Sequence, residues 1–114
     1  MEDIVKNNQL IAKFMGAKMI VKNYHDISIL KFPDKKTYDI QALKYHCSWD
    51  WLLPVYRKIR DIINDRAKLD KHTRTKGDLL ELDALMAICE VDIQKAFDSI
   101  VAFIKWYNTS LADR

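Results

Sequence analysis

The densest group of reactive side chains in this sequence lies at 45–51, which reads Tyr-His-Cys-Ser-Trp-Asp-Trp. A thiol (Cys47) beside an imidazole (His46) can form a nucleophile–base pair. The pattern places this stretch at the end of a strand, where adjacent side chains point to opposite faces and cannot activate each other. No Gly-rich turn that would stabilise an oxyanion follows. The sequence therefore predicts a protein that is not an enzyme.

The His and Cys residues do not show the spacing of a metal site. None of CxxC, HxxxH or HExxH occurs among His25, His46, Cys47, His72 and Cys89. The two glycines are far apart, which excludes a dinucleotide-binding GxGxxG turn and a P-loop. Neither a metal nor a cofactor is predicted.

The charges are polarised along the chain. Residues 56–76 contain eight basic and three acidic side chains, whereas residues 77–102 contain one basic and six acidic ones. Arg57 and Arg60 share one side of a predicted helix, and guanidinium groups bind phosphates through two parallel hydrogen bonds. Asp61 and Asp65 lie at partner spacing, so the same residues are equally read as a solvated helix face.

Aromatic residues precede this basic stretch, and together they define a candidate ligand site. In this interpretation Trp49, Trp51 or Tyr45 stacks on a base while the cations contact phosphates. The alternative interpretation is that the Trp residues pack in the core. The predicted ligand-binding residues are Tyr45, His46, Trp49, Trp51, Arg57, Lys58 and Arg60.

A second candidate surface closes the chain. Four bulky residues, Phe103, Ile104, Trp106 and Tyr107, fall within five positions and cannot all face one core stripe. We therefore predict that Phe103, Trp106 and Tyr107 contact a partner or a second subunit. Burial of this helix on two sides is the alternative.

The elements that position these residues follow from periodicity. Apolar spacing predicts a helix over 3–15 that ends at Gly16, which adopts left-handed backbone angles without steric cost. Residues 18–32 predict two strands joined near 23–24, and Pro33 opens a turn. Residues 38–45 predict a third strand with Tyr38, Ile40 and Ala42 on one face.

The second half of the chain reads as helical. Ser48 is predicted to cap a helix that starts near 50–52, because of Pro54, and runs to about Lys68, with a loop over 68–77. Residues 78–108 are apolar at helical spacing and predict one long helix, or two with Asp92 capping the second. The fold class is therefore α+β: a small antiparallel sheet of about three strands, covered in sandwich fashion by about three to four helices.

Length and composition set the remaining expectations. A chain of 114 residues with 49% hydrophobic residues predicts one globular domain, 1–114. Two cysteines do not make a disulfide framework, and no signal-peptide core or membrane-spanning apolar run is apparent. A reduced, cytoplasmic location is expected.

Three segments together resemble a family of small uncharacterised phage- and prophage-encoded proteins. They are NNQLIAKFMG (7–16), YHCSWDWLLPVYRKI (45–59) and VDIQKAFDSIVAFIKWYN (91–108), which cover 43 of the 114 residues. The resemblance implies a small α/β sandwich of mobile-element origin and implies no activity. This chain departs from the family pattern at 56–58, where Tyr-Arg-Lys stands in place of a stretch that is more often acidic.

These observations lead to the hypothesis of an accessory binding protein of phage type in the host cytoplasm. It would act in counter-defence by sequestering a signalling nucleotide or by blocking a host protein, and it would form a homo-oligomer. The alternative is a nucleic-acid-binding regulator that uses the basic segment 57–76.

Overall fold

The computed structural model describes residues 2–24, 27–64 and 71–112. Over these residues the chain contains three strands in one antiparallel sheet and four α-helices, so the predicted α+β class is confirmed. The chain divides into two compact units, 1–45 and 46–114. The first unit holds the sheet and one helix, and the second holds three helices. The prediction of a single domain stays a prediction.

The first helix, α1 (Glu2–Phe14), ends as the sequence predicts. Gly16 has φ +96°, its N–H donates to the Lys13 carbonyl, and the Ala17 N–H donates to the Ala12 carbonyl. These two bonds form a Schellman motif, which satisfies carbonyls that the last helical turn leaves unpaired. A Cβ at position 16 would also lie 3.0 Å from Cγ of Pro33, so glycine is required here by backbone angle and by space.

The sheet is a meander of β1 (Lys18–Tyr24), β2 (Ile27–Lys31) and β3 (Thr37–Asp39). The predicted hairpin is confirmed, but β1 continues through the predicted joint at 23–24, and residues 25–26 lie outside the described residues. The register places Leu30 opposite Met19 and Tyr38. Leu30 is fully buried, because the central strand turns this side chain into the core.

The predicted third strand over 38–45 is wrong beyond Asp39. The carboxylate Oδ1 of Asp39 accepts the Gln41 N–H at 3.0 Å and starts a 3-10 helix, Ile40–Ala42. An Asp side chain competes in this way with strand pairing, so the predicted shared face of Tyr38, Ile40 and Ala42 does not form. Leu43 follows in the core, and its carbonyl accepts a hydrogen bond from Nδ2 of the buried Asn8 at 3.3 Å.

The second unit begins with α2 (Trp49–Asn64). The Ser48 carbonyl accepts the Leu52 N–H at 3.0 Å, so Ser48 is the N-cap residue as predicted. The helix begins at Trp49, just before the predicted range, and it contains Pro54. Pro54 is exposed, and the helix buries a stripe of larger apolar residues that includes Leu52, Val55 and Ile59. The predicted end near residue 68 lies outside the described residues.

The next helix, α3 (Lys71–Cys89), corrects the predicted loop. Residues 71–77 are helical, although the sequence is polar and contains Gly77. Gly77 is buried, and a Cβ there would lie 2.8 Å from Cδ1 of Ile63 and 2.9 Å from Cη2 of Trp106. The glycine is therefore a point of close approach between helices and does not end one.

Residues 78–108 form two helices, so the second of the two alternatives is correct. After Cys89, Val91 takes φ 56° and its N–H donates to the Ile88 carbonyl, while the Asp92 N–H donates to the Ala87 carbonyl. This is a second Schellman motif, with valine where glycine is usual. Asp92 then starts α4 (Ile93–Ala112), since its Oδ1 accepts the Lys95 N–H at 3.1 Å.

The two helices that meet at this corner bury different kinds of side chain. The buried positions of α3 are small, and α4 buries bulky ones. Among the described side chains of α3 they are Gly77, Ala84 and Ala87; on α4 they include Phe97, Ile100, Phe103 and Ile104. Small residues let the axis of α3 come close to its neighbours, and the large side chains of α4 fill the space between them.

We expect Val91→Gly to raise the free energy of unfolding by about 1 kcal/mol, since a β-branched residue is strained at this φ. Val91 is 73% exposed, so little packing is lost with its side chain. The measurement is urea denaturation. Ala102→Gly, at an exposed position inside α4, is the control and should lower stability by about 1 kcal/mol. Equal destabilisation by both substitutions would contradict the strain at position 91.

Candidate functional site

Of the cationic residues predicted to contact phosphates, Arg57 and Arg60 lie about 60° apart on one side of α2, and Lys58 points away from both. Successive residues of an α-helix turn by about 100°, so Lys58 lies about 100° from Arg57 and about 160° from Arg60. Arg57 is exposed, and Lys58 is partly buried, which lowers the pKa of its ammonium group. The helix therefore does not bring the three cations to one phosphate-sized point.

Arg60 takes part in a cluster that links α2 to α3. Its Nε lies 3.6 Å from Oε1 of Glu81, and the Tyr56 hydroxyl donates to the same oxygen at 2.7 Å. The Glu81 side chain is 13% exposed, whereas that of Arg60 is 50% exposed. Glu81 is thus a largely buried carboxylate that has two partners on α2.

The protonation of this cluster follows from its surroundings. Burial raises the pKa of Tyr56, and the hydrogen bond that it donates to Glu81 adds to the rise. The hydrogen bond with Tyr56 and the negative charge of Glu81 raise the pKa of Arg60, which stays cationic. A phosphate ligand at Arg60 would have to compete with the Glu81 carboxylate.

The two Trp residues of α2 lie on opposite flanks of the helix. Trp49 is about 20° from Arg60 around the axis, and Trp51 is about 20° from Lys58, while the two Trp residues are about 160° apart. Both rings are partly buried. Each aromatic residue therefore has a cation on its own flank, and the predicted single site divides into two.

Tyr45 belongs to the first unit and is 4% exposed. Burial, with a smaller contribution from Tyr38, raises its pKa to about 12. A ring this deeply buried has no face left to stack on a base.

His46 and Cys47 lie in a turn over 45–47, so the predicted strand end is wrong. Cys47 is exposed, and the His46 ring packs edge-on against Phe97 with 6.2 Å between the ring centres. The turn forms because the chain enters α2 directly afterwards, at Ser48. In a turn the side chains of His46 and Cys47 are not held on opposite faces as they would be in a strand. The absence of enzymatic activity stays a prediction.

The aromatic residues at the end of α4 pack against one another around Phe103. Phe103 is fully buried, and its ring centre lies 5.4 Å from that of Trp106 and 6.1 Å from that of Tyr107, on which it stacks. Its ring is therefore not accessible to a partner, in contrast to the sequence-based expectation. Trp106 and Tyr107 are partly buried, and their role in binding stays a prediction.

The outer face of α3 carries large apolar residues that the sequence-based site did not include. Leu79, Leu82 and Met86 are 56%, 46% and 53% exposed, and Cys89 is also exposed. We call these four residues the α3 row. Their spacing of three, four and three residues places them on one side of the helix. This spacing is visible in the sequence, where it predicts a helix with these residues on its buried face, since apolar periodicity usually marks the side of a helix that faces the core.

A shallow groove of about 320 Å³ adjoins the α3 row at the corner between α3 and α4. Met86 belongs both to the row and to the groove. Half of the other lining residues are acidic and one is a lysine; they comprise Asp83, Ala87, Glu90, Lys95, Asp98 and Ser99. Lys95 pairs with Glu90 at 3.5 Å, yet acids remain in excess, so the groove favours a cationic group.

Other site types find no support in the part of the chain that the structure describes. Within the described ranges, no group of three or more His, Cys, Asp or Glu residues is arranged to hold a metal ion. No described helix is long and apolar enough to cross a membrane. Comparisons with family models, with curated proteins and with solved structures found no match to this chain.

We expect Tyr56→Phe to lower the free energy of unfolding by about 1–2 kcal/mol, because it removes a hydrogen bond to a largely buried carboxylate. Arg60→Gln should change the free energy of unfolding less than Tyr56→Phe does, since the Arg60 side chain is half exposed and solvent screens its charge. Urea denaturation of each variant, and of each combined with Glu81→Gln, measures the coupling. Additive effects of Tyr56→Phe and Glu81→Gln would show that the charge of Glu81 adds nothing to the hydrogen bond, since the amide oxygen of glutamine can still accept from the hydroxyl.

The buried Tyr45 predicts a loss of stability in alkali. Its pKa is higher in the folded chain than the usual unfolded value of about 10, so folding favours the protonated phenol. This contribution is complete below about pH 10 and is lost as the pH rises toward 12, by on the order of 2 kcal/mol. Unfolding free energies of the wild type and of Tyr45→Phe, measured across this range, should differ in slope. Parallel curves would contradict the assignment.

Proposed function

We propose that this chain is a non-enzymatic binding protein that acts by occupying a surface of another protein, and that the α3 row is its contact surface. Of the hypotheses that the sequence supports, this is the blocking version of an accessory protein of phage type. The observation that carries the proposal is the exposure of Leu79, Leu82 and Met86 on one side of one helix.

Single exposed apolar residues are ordinary on protein surfaces and need no explanation. Three large ones within eight positions on one helix face are different, because contiguous apolar surface is removed from water when a partner binds. The side of α3 that packs against the other helices carries the buried residues Gly77, Ala84 and Ala87. The α3 row lies on the opposite side of the helix and is not part of the core.

The spacing of the row indicates what kind of surface it fits. Positions 79, 82, 86 and 89 follow the a and d positions of a heptad, which is the pattern by which two helices pack together. The matching partner presents an apolar helical seam, as in helix-in-groove recognition. Acidic residues beside the row, Asp78, Asp83 and Glu90, favour basic residues on that partner.

The versions of the hypothesis that involve nucleotide or nucleic acid receive less support from the geometry. Lys58 points away from Arg57 and Arg60 around α2, and Arg60 already pairs with Glu81. Segment 57–76, on which nucleic-acid binding was predicted, is largely outside the described side chains. We propose a host protein as the target and counter-defence as the biological role, because a phage accessory protein without enzymatic activity would act by occupying such a surface.

Site-specific photo-crosslinking in living cells tests the proposal. A photoreactive residue at position 79 or 86 should give a discrete covalent adduct, and Leu82→Asp should reduce that adduct by about tenfold, because the partner would have to cover a charge. Position 102, exposed on α4, is the matched control site and should give none. Circular dichroism of each variant verifies folding.

The outcomes separate the candidate functions. Adducts that are absent from both row positions would overturn the proposal. A nucleotide retained in native mass spectrometry, and lost with Arg57→Glu and Arg60→Glu but not with Leu82→Asp, would establish the sequestering version in its place.

A further inference from the structure

We infer that the α3 row is occupied by the α3 row of a second copy of this chain, with the two helices antiparallel about a two-fold axis. The inference rests on the proposed function, because it uses the same contact surface: a second copy covers the α3 row in the absence of the host protein, and the two partners compete for it. It is carried by the exposed heptad pattern together with the charges that flank it.

The heptad pattern determines how two rows meet. When two α3 helices run in opposite directions, position 79 of one faces position 89 of the other, and 82 faces 86. All four residues of both rows are then covered in four layers. Shifting the register by one heptad leaves half of the row uncovered, so this register buries the most apolar surface.

The charges beside the row favour the antiparallel direction. Lys76, Asp83 and Glu90 are exposed and lie at seven-residue spacing along one edge of the row. In an antiparallel pair this edge meets itself reversed, which brings each Lys76 to the Glu90 of the other copy. In a parallel pair Asp78 of one copy would meet Asp83 of the other, and like charges at this position oppose pairing.

The acidic groove supports the same direction. Asp83 and Glu90 line it beside Met86, so it presents negative charge at the end of the row to which the antiparallel arrangement brings Lys76 of the second copy. One unfavourable contact remains, because the two Asp83 side chains approach each other near the axis. Removing that charge should therefore strengthen the pair.

The expected dimer is weak. Each copy contributes four side chains, and the surface that these bury is well below the area that stable protein interfaces bury. Self-association should therefore appear as a monomer–dimer equilibrium over micromolar to millimolar concentrations, and added salt should weaken it.

Sedimentation equilibrium of the full chain measures this equilibrium. We expect Leu82→Asp to raise the dimer dissociation constant by at least about tenfold and Asp83→Asn to lower it by about twofold to fivefold. Lys76→Glu and Glu90→Lys should each weaken the dimer, and the two together should restore it. Ala102→Asp, which adds the same charge at an exposed position of α4, is the control and should have no effect.

Disulfide trapping tests the direction. In a Cys47→Ser background, Leu79→Cys places a thiol opposite Cys89 of the second copy, and a mild oxidant should then link two chains. The Cys47→Ser chain by itself should resist this linkage, because two Cys89 residues in the antiparallel pair are about 15 Å apart along the helices, beyond disulfide reach.

Each outcome decides one claim. A wild-type chain that stays monomeric throughout overturns the self-pairing, and photo-crosslinks from position 79 to a different protein would then leave the proposed function standing. Efficient linkage through Cys89 without Leu79→Cys overturns the antiparallel direction. Dimers that form equally well with Leu82→Asp overturn the use of the α3 row.

Discussion

The packing of the second unit depends on small residues at the fully enclosed positions of α3. Gly77, Ala84 and Ala87 form the inner side of α3, and at Gly77 even one added carbon would collide with Ile63 and Trp106. The core is supplied instead by the bulky residues of α4. Because the small residues of α3 face inward, its large apolar residues face outward, and the same constraint that packs the core creates the exposed row.

The corner between α3 and α4 holds this arrangement in place. Val91 accepts a left-handed backbone, and Asp92 caps the next helix immediately. A corner this short directs α4 back along α3, where the two helices pack extensively. The backbone strain at the exposed Val91 is offset by the two hydrogen bonds of the Schellman motif and by the capped start of α4. The strained residue thereby keeps α4 packed along α3.

The polar contacts of α2 show why residue type alone is a poor guide to function. Arg60 has the chemistry of a phosphate ligand, but Glu81 reaches it from the next helix and gives it a structural partner. Tyr56 gives Glu81 a hydrogen bond, which lets the carboxylate lie largely buried. The exposed Arg57 and the divided aromatic residues then leave α2 with separate flanks in place of one concave site.

Signals confined to a few neighbouring residues were predictable. Gly16 ends α1, Ser48 precedes α2 and Asp92 starts α4 because each acts on backbone groups within its own turn. The third strand was predicted too long, because the capping bond of Asp39 outweighs β propensity. The loop over 71–77 was predicted because Gly77 is read as a helix breaker, whereas its cause is contact with residues far away in sequence.

By itself, the sequence determined the α+β class, the order of a helix, a small sheet and further helices, and the end of α1 at Gly16, since hydrophobic period and capping are local. The tertiary structure decided which side of each helix is buried. The same spacing of three and then four residues leads inward at Phe97, Ile100 and Ile104 of α4 and outward at Leu79, Leu82 and Met86 of α3. Periodicity identifies a face but not its neighbour, and only packing across helices decides whether that face meets the core or a partner.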